Sequence, residues 1–391
     1  MLNCASIYAY EIDDPAIALE EIKNQLDEKL ILLTHSVGIV MCHPEFISSG
    51  TLQYICENIP FDVVGMTTAV QAVNGEAGEL ILTIFVMTSD DVCFKTGVTE
   101  RLDENIDTAI KTAAEKITWE YSETPGLAIV FAPCMSKYSG DAYVDSWQKT
   151  ILNVPIFGAV ATDDTRTYEL SETICNGDSF KTEMSFVLCY GNINPRFMVG
   201  TFPHEKAMPH RGEITKSNGS LVYEINNTNA YKYFEGIGFT NNGVLAESYI
   251  FVPFAIDQKK RADYDGIPVI RSLNSFTEDG TAVFLGDVDE GSTFSLLTSE
   301  PDDVLSVTRQ KIEQINSLSE VNGVLMFPCI ARRMMTMRVA PLIELENVRD
   351  TIRPDIPFMM GYAGGEISPT LFKDGVPTNR FHNYSLIILA V

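Results

Sequence analysis

The stretch Asp355-Ile356-Pro357-Phe358-Met359-Met360-Gly361 has two counterparts earlier in the chain. They are Ile59-Pro60-Phe61-Asp62-Val63-Val64-Gly65 and Asn153-Val154-Pro155-Ile156-Phe157-Gly158. In each, a proline stands near the start of a short apolar run and a glycine closes it. Proline at the first residue of a strand forfeits no ladder hydrogen bond. A closing glycine permits a turn or the close approach of another group. Each stretch therefore reads as a buried strand.

Working outward, a Gly-led apolar run precedes each of them: Gly38-Ile39-Val40-Met41-Cys42, Gly126-Leu127-Ala128-Ile129-Val130-Phe131 and Gly323-Val324-Leu325-Met326-Phe327. Amphipathic patterns upstream predict helices over 15–26, 102–117 and 302–315, with Ile106, Ile110, Ala113 and Ala114 at helical spacing in the second. Strand-like runs at 7–10, 93–98 and 293–297 open the copies. Runs at 80–87, 185–189 and 384–389 close them. The expectation is a mixed α/β (α+β) fold of tandem strand–helix–strand–helix–strand–strand units. Apolar strands of this length imply sheets covered by helices, here with α–β–β–α layering. Pro203, Pro209 and Gly212 punctuate a polar stretch between two domains. The first, 1–205, holds two units. The second, 220–391, holds one extended unit, whose extension adds a helix at 226–234 and strands at 249–255 and 284–288.

The chain has 391 residues, of which 45% are apolar and 21% charged, with a formal net charge of −25. These proportions suit a globular chain with a sizeable core. The acidity disfavours nucleic acid, whose binding draws on Lys and Arg displacing counterions, and it disfavours anionic lipid. No targeting segment is visible at the start, and no apolar run approaches the ~20 residues of a membrane helix. Eight cysteines without a CxxC pair, several in apolar runs, fit a reducing cytoplasm better than a disulfide framework.

Several motifs resemble one known family. Phe327-Pro328-Cys329-Ile330-Ala331-Arg332-Arg333 resembles a strand followed by a Cys-x-x-Arg turn. Pro357 to Ile367, containing Gly361-Tyr362-Ala363-Gly364-Gly365-Glu366, resembles a Gly-aromatic…Gly-Glu-Ile segment. His382-Asn383-Tyr384-Ser385 precedes the closing strand. Val222-Tyr223-Glu224-Ile225 with Ala230-Tyr231-Lys232-Tyr233, then Arg271, Asp279-Gly280 and Glu290-Gly291, extend the likeness upstream. Together they are similar to the FIST family of bacterial signal-transduction sensors, with the N-terminal half matching more loosely. Where that family often has Gly between the Cys and the Arg, this chain has Ala331. The resemblance implies a FIST N and a FIST C domain that sense a small ligand, amino acids being the proposed class. Some relatives are reported as haem-based gas sensors. Relatives are often fused to kinase or cyclase modules. With no such module here, a signal would pass to a separate histidine kinase, cyclase or chemoreceptor.

The expected ligand site comprises Cys329, Arg332, Gly361, Tyr362, Gly365, Glu366 and Asn383. Loops just past strand ends are where α/β folds place ligands. An Arg offers a fork matched to a carboxylate, a Glu accepts from an ammonium group, and Gly364-Gly365 lets backbone N–H groups come close. The alternative is an Arg332–Glu366 ion pair that holds two loops together. Catalysis by a Cys329 nucleophile would need a base, and His382 is the C-terminal candidate. A buried, inert thiol is the simpler reading, so no enzyme activity is expected. His35, His43, His204, His210 and His382 show no metal spacing, although His43 is a candidate axial haem ligand. Asp163-Asp164 and Thr67-Thr68 follow two of the Pro-to-Gly strands and could line a pocket or simply solvate turns. Met334, Met335 and Met337 could form a docking surface but read more simply as core filler.

Overall fold

The computed structural model describes residues 2–119, 121, 123–135, 137–165, 167–202, 206–241, 244–245, 252–258 and 268–391. The first copy runs β1 (Leu2–Ala9), α1 (Pro15–Lys29), β2 (His35–Cys42), α2 (Glu45–Ser48), α3 (Thr51–Asn58), β3 (Asp62–Thr67), the hairpin β4 (Gln71–Val73) and β5 (Glu76–Gly78), and β6 (Leu82–Ser89). The second runs β7 (Cys93–Val98), α4 (Ile106–Thr118), β8 (Leu127–Ala132), α5 (Gly140–Thr150), β9 (Ile156–Val160), the hairpin β10 (Thr173–Cys175) and β11 (Asp178–Phe180), and β12 (Ser185–Tyr190). The third begins with β13 (Arg196–Gly200) and is then interrupted.

The interruption contains β14 (Ala207–Asn218), β15 (Leu221–Ile225), β16 (Thr228–Asn229), α6 (Ala230–Gly236), β17 (Thr240–Asn241), β18 (Val244–Leu245), β19 (Phe254–Asp257), β20 (Val269–Arg271), β21 (Leu273–Phe276), β22 (Ala282–Phe284) and β23 (Thr293–Leu297). The third copy resumes with α7 (Pro301–Asn316), β24 (Val324–Pro328), α8 (Ile330–Thr336), α9 (Ile343–Thr351), β25 (Phe358–Gly361), the hairpin β26 (Gly365–Lys373) and β27 (Val376–His382), and β28 (Leu386–Ala390).

Sequence-encoded caps set the helix starts. Asp14 accepts from the Ala16 and Ile17 N–H groups with Pro15 at the first helical position, and Asn105 caps α4. Glu300 and Asp303 form a reciprocal capping box on α7.

The three copies build three six-stranded sheets of one plan: β1-β6-β2-β3-β10-β11, β7-β12-β8-β9-β26-β27 and β13-β28-β24-β25-β4-β5. In each, the two central strands are parallel (β2/β3, β8/β9, β24/β25) and the other pairs antiparallel. The outer hairpin of each sheet comes from a different copy. The first copy lends β4–β5 to the third sheet, the third lends β26–β27 to the second, and the second lends β10–β11 to the first. The exchange closes a ring.

Inner faces of all three sheets meet in one core, where Met41, Val64 and Phe85 pack with Phe131, Phe157, Val187, Phe327, Met359 and Leu389. Outer faces are covered by α1 and α3, by α4 and α5, and by α7 and α9, through Ile22 and Leu52, Ile110 and Trp147, and Ile312 and Leu345. Each such buried side chain contributes roughly 1.5–3 kcal/mol. The α–β–β–α order thus runs through the core from any helix layer to the next.

Two elements differ from expectation: the strand expected at 284–288 ends at Phe284 as β22, and the third copy opens differently. The first strand of the third copy is β13, paired with β28 from Arg196↔Ala390 to Gly200↔Leu386. Thr293–Leu297, as β23, instead pairs with β14 and β19 in the inserted sheet. Its closeness in sequence to α7 suggested otherwise, but the insertion separates the true first strand from its helix. The insertion forms an eight-stranded sheet around its own core of Ile225, Phe234, Phe254, Phe284 and Phe294. The helix expected at 226–234 is α6, Ala230–Gly236. Residues 249–251 of the strand expected at 249–255 lie outside the described residues, as does His204.

Candidate functional site

The carboxyl ends of the three parallel strand pairs converge at one apex. Backbone and hydroxyl bonds stitch them in a ring: Thr162 N donates to Thr67 O at 3.3 Å, Gly364 N to Val160 O at 2.9 Å, and Thr68 Oγ1 to Tyr362 O at 2.7 Å. Glycine is obligatory just below it, since a Cβ on Gly65 or Gly158 would lie 1.8 or 1.9 Å from the Val40 or Val130 carbonyl oxygen of the neighbouring strand. The strand register puts His43, Pro133 and Cys329 in corresponding positions one step beyond β2, β8 and β24.

Cys329, Glu366 and Asn383 come together here, all buried. The Cys329 thiol and the Glu366 carboxyl share a hydrogen bond, and Glu366 Oε2 also accepts from Ser385 N at 3.2 Å. Burial pushes the Glu366 carboxyl well above its ordinary value. Burial, then the neighbouring Glu366, pushes the Cys329 thiol well up. Glu366 Oε1 and both polar atoms of the Asn383 carboxamide have no hydrogen-bond partner among the described residues. Buried polar groups are normally satisfied by protein, water or ligand.

Arg332 does not pair with Glu366, and neither of the sequence-based readings of that couple holds as drawn. α8 turns Arg332 beneath α7 and α9, where its Nε and Nη2 donate to Glu344 Oε1 at 3.1 and 2.7 Å and Nη2 donates to Thr308 Oγ1 at 2.8 Å. The Tyr362 hydroxyl donates to the other Glu344 oxygen at 2.7 Å. Arg332 and Glu344 are fully buried. Arg332 Nη1 has no partner among the described residues, and the charge acts on Glu366 only at longer range. Sequence reasoning missed Glu344, which lies in an ordinary-looking acidic helix. The two glycines serve packing: a Cβ on Gly361 would strike the Met41 side chain at 2.5 Å, and one on Gly365 the Phe381 ring at 2.3 Å.

The inserted sheet is bolted over this apex. Arg271 Nη2 donates to both Asp141 oxygens at 3.0 and 2.9 Å, Nη1 to Phe381 O at 3.0 Å, and Nε to Asp287 O at 3.0 Å. Asp141 sits in the first turn of α5, where the helix dipole favours its charge. Between insertion and core lies a cavity of about 80 Å³. Pro133, Cys134, Tyr138, Tyr143, Gly364 and Phe381 line its core side, and Ser220, Asn274, Phe284 and Leu285 its inserted side. The Phe381 ring on the cavity wall is clasped between Gly140 and Gly365, and Asn383 Nδ2 also lies near Gly365.

Two family models together match most of the chain. The FIST N domain matches residues 36–228 and the FIST C domain residues 230–369. The chain belongs to the FIST family. The seam between the two FIST models falls within the inserted segment, so the cavity joins residues of both domains. No curated protein matches the chain. FIST domains are associated with signal-transduction sensing of small ligands.

The remaining candidates are accounted for by geometry. His43 faces Asp164, Nε2 to Oδ2 at 3.5 Å. The Asp163 carboxylate is spent on Thr165 N, Leu170 N and Ser171 Oγ at 2.6 to 2.9 Å. His382 Nε2 meets Ser368 O at 3.3 Å, and burial lowers its imidazole to about 3. Met335 is buried whereas Met337 is exposed. No cluster of metal-ligating side chains occurs among the described residues, and no described helix is long and apolar enough to cross a membrane.

Proposed function

We propose that this FIST protein is a cytoplasmic sensory module that binds a small metabolite in the cavity between apex and inserted sheet. It signals to a separate partner such as a histidine kinase, cyclase or chemoreceptor. The observation that carries the reading is the seam itself: one cavity is walled by Cys134, Gly364 and Phe381 from the core and by Ser220, Asn274 and Leu285 from the insertion. A ligand touching both halves has different contact free energy when they are apposed and when they part, as a sensor requires.

Binding, not catalysis, suits the thiols. Burial and the neighbouring Glu366 raise the Cys329 thiol, and His382 is engaged with Ser368. An activated nucleophile has the opposite environment. A haem does not fit the residues present. The cavity lining includes no histidine, and its volume of about 80 Å³ is below the ~150 Å³ that admits benzene. The amino-acid form of the reading relied on Arg332 facing Glu366 as cation and anion, and Glu344 has taken that role.

Thermal denaturation of the full chain against amino acids, small acids and small amides tests the proposal. A ligand at 100 times its Kd stabilises by about 2.7 kcal/mol. Cys134→Trp, which fills the cavity from an exposed position, should abolish the shift. A shift retained in that variant moves the site elsewhere.

A further inference from the structure

The chemistry of the cavity wall specifies the charge of what enters it. Among its described lining residues none is Asp, Glu, Lys, Arg or His. Its polar groups are the Ser220 hydroxyl, the Asn274 carboxamide, the Tyr138 and Tyr143 phenols and the Cys134 thiol. Burial pushes the Tyr143 phenol up, which favours its neutral form.

Several ionised groups stand just outside the lining and are engaged elsewhere. Arg271 and Asp141 close on one another. Asp163 is saturated by three donors. Lys137 lies over the Tyr138 ring and donates to Asp103 O. Deeper in, Arg332 is paired with Glu344, and burial disfavours the charged form of Glu366. Near Gly365, on which the Phe381 ring packs, the Asn383 carboxamide has no hydrogen-bond partner among the described residues, and neither does Glu366 Oε1. A carboxylate or ammonium group would give up part of its hydration here without meeting an opposite charge on the lining, which costs free energy that a neutral ligand does not lose.

We infer that the site takes a small uncharged ligand carrying an adjacent donor and acceptor, of the carboxamide type, in preference to a free amino acid. This rests on the cavity being the sensory site. An amide satisfies Asn274 and Ser220 by neutral hydrogen bonds, and its alkyl portion packs on Phe284, Leu285 and Phe381.

The experiment is ligand-detected NMR titration of the full chain with four three-carbon probes: propionamide, propionate, propylamine and alanine. They share three carbons, with four to six non-hydrogen atoms, and differ in charge. Propionamide is expected to bind at least about tenfold more tightly than the others, a 1.4 kcal/mol preference. Cys134→Trp, with an unchanged circular dichroism spectrum, should lose that binding. Tighter binding of alanine or propionate, lost in Cys134→Trp, overturns the uncharged-ligand inference while leaving the sensory cavity intact. Binding that survives Cys134→Trp, or none by any probe, overturns the cavity reading and this inference with it.

Discussion

Arg271 grips both carboxylate oxygens of Asp141 across 130 residues of sequence, and through that pair the inserted sheet is fastened to the second copy's helix α5. Both side chains are buried, and Asp287 N completes the clasp by donating to Asp141 Oδ2 at 2.7 Å. Breaking a buried pair from one side strands the other charge and costs about 3–5 kcal/mol. Arg271→Ala should therefore lower the denaturation midpoint steeply. The double variant Arg271→Met with Asp141→Leu should recover much of the loss. Equal losses in the single and double variants would mean that the pair is not the fastening.

The Arg332–Glu344–Tyr362 network makes a parallel claim of structure without ligand contact. Glu344→Gln should destabilise by a few kcal/mol, because the buried guanidinium loses its counter-charge. Arg332→Ala should do likewise. Ligand affinity per folded molecule should change little in Glu344→Gln, measured by titration below its melting temperature. A selective loss of affinity with normal stability would return Arg332 to the binding surface.

The Phe381 ring lies against two glycines at once. A Cβ at Gly140 would approach the ring to 2.2 Å, and one at Gly365 to 2.3 Å. Gly140→Ala and Gly365→Ala should each cost about 1–3 kcal/mol through overpacking. Phe381→Leu should relieve both, giving a favourable coupling term in a double-mutant cycle. Simple additivity in chemical denaturation would contradict the clasp.

His382 predicts an acid-sensitive limb. Its folded imidazole titrates at about 3, against an ordinary value of 6.5, because burial disfavours the cation. The unfolded chain therefore binds the proton first. The stabilisation is complete above pH 6.5 and is lost as pH falls toward 3, at about 1.4 kcal/mol per pH unit at most. His382→Gln should flatten denaturant midpoints between pH 6 and pH 4 relative to the parent. An unchanged slope would mean that other groups carry the acid sensitivity.

How far the sequence carried the fold can be judged element by element. The Pro-to-Gly strands, the Gly-led strands and the helices α1, α4 and α7 were legible because periodicity and caps are local signals. The third copy's first strand was not, since β13 finds β28 only across the insertion. The exchanged hairpins carry a signal that passed unread: Asn74-Gly75, Asn176-Gly177 and Asp374-Gly375 recur at their turns. Gly75 and both residues of the second and third pairs adopt positive φ, as such turns require. At the site, Cys329, Glu366 and Asn383 were found by motif and do converge. Glu344, Asp141 and the cavity itself were illegible, because each depends on which helix or sheet is laid against the apex.

Cys134 gives the most direct test of the central claim, because it is the exposed thiol on the cavity wall while Cys329 is buried. The measurement is the alkylation rate of each cysteine in the native full chain, read by peptide mass spectrometry, with and without a ligand that raises the melting temperature. A small ligand seated between apex and insertion predicts that Cys134 alkylation slows at least severalfold on saturation, with Cys329 inert throughout. A Cys134 rate unchanged by saturating ligand would contradict it.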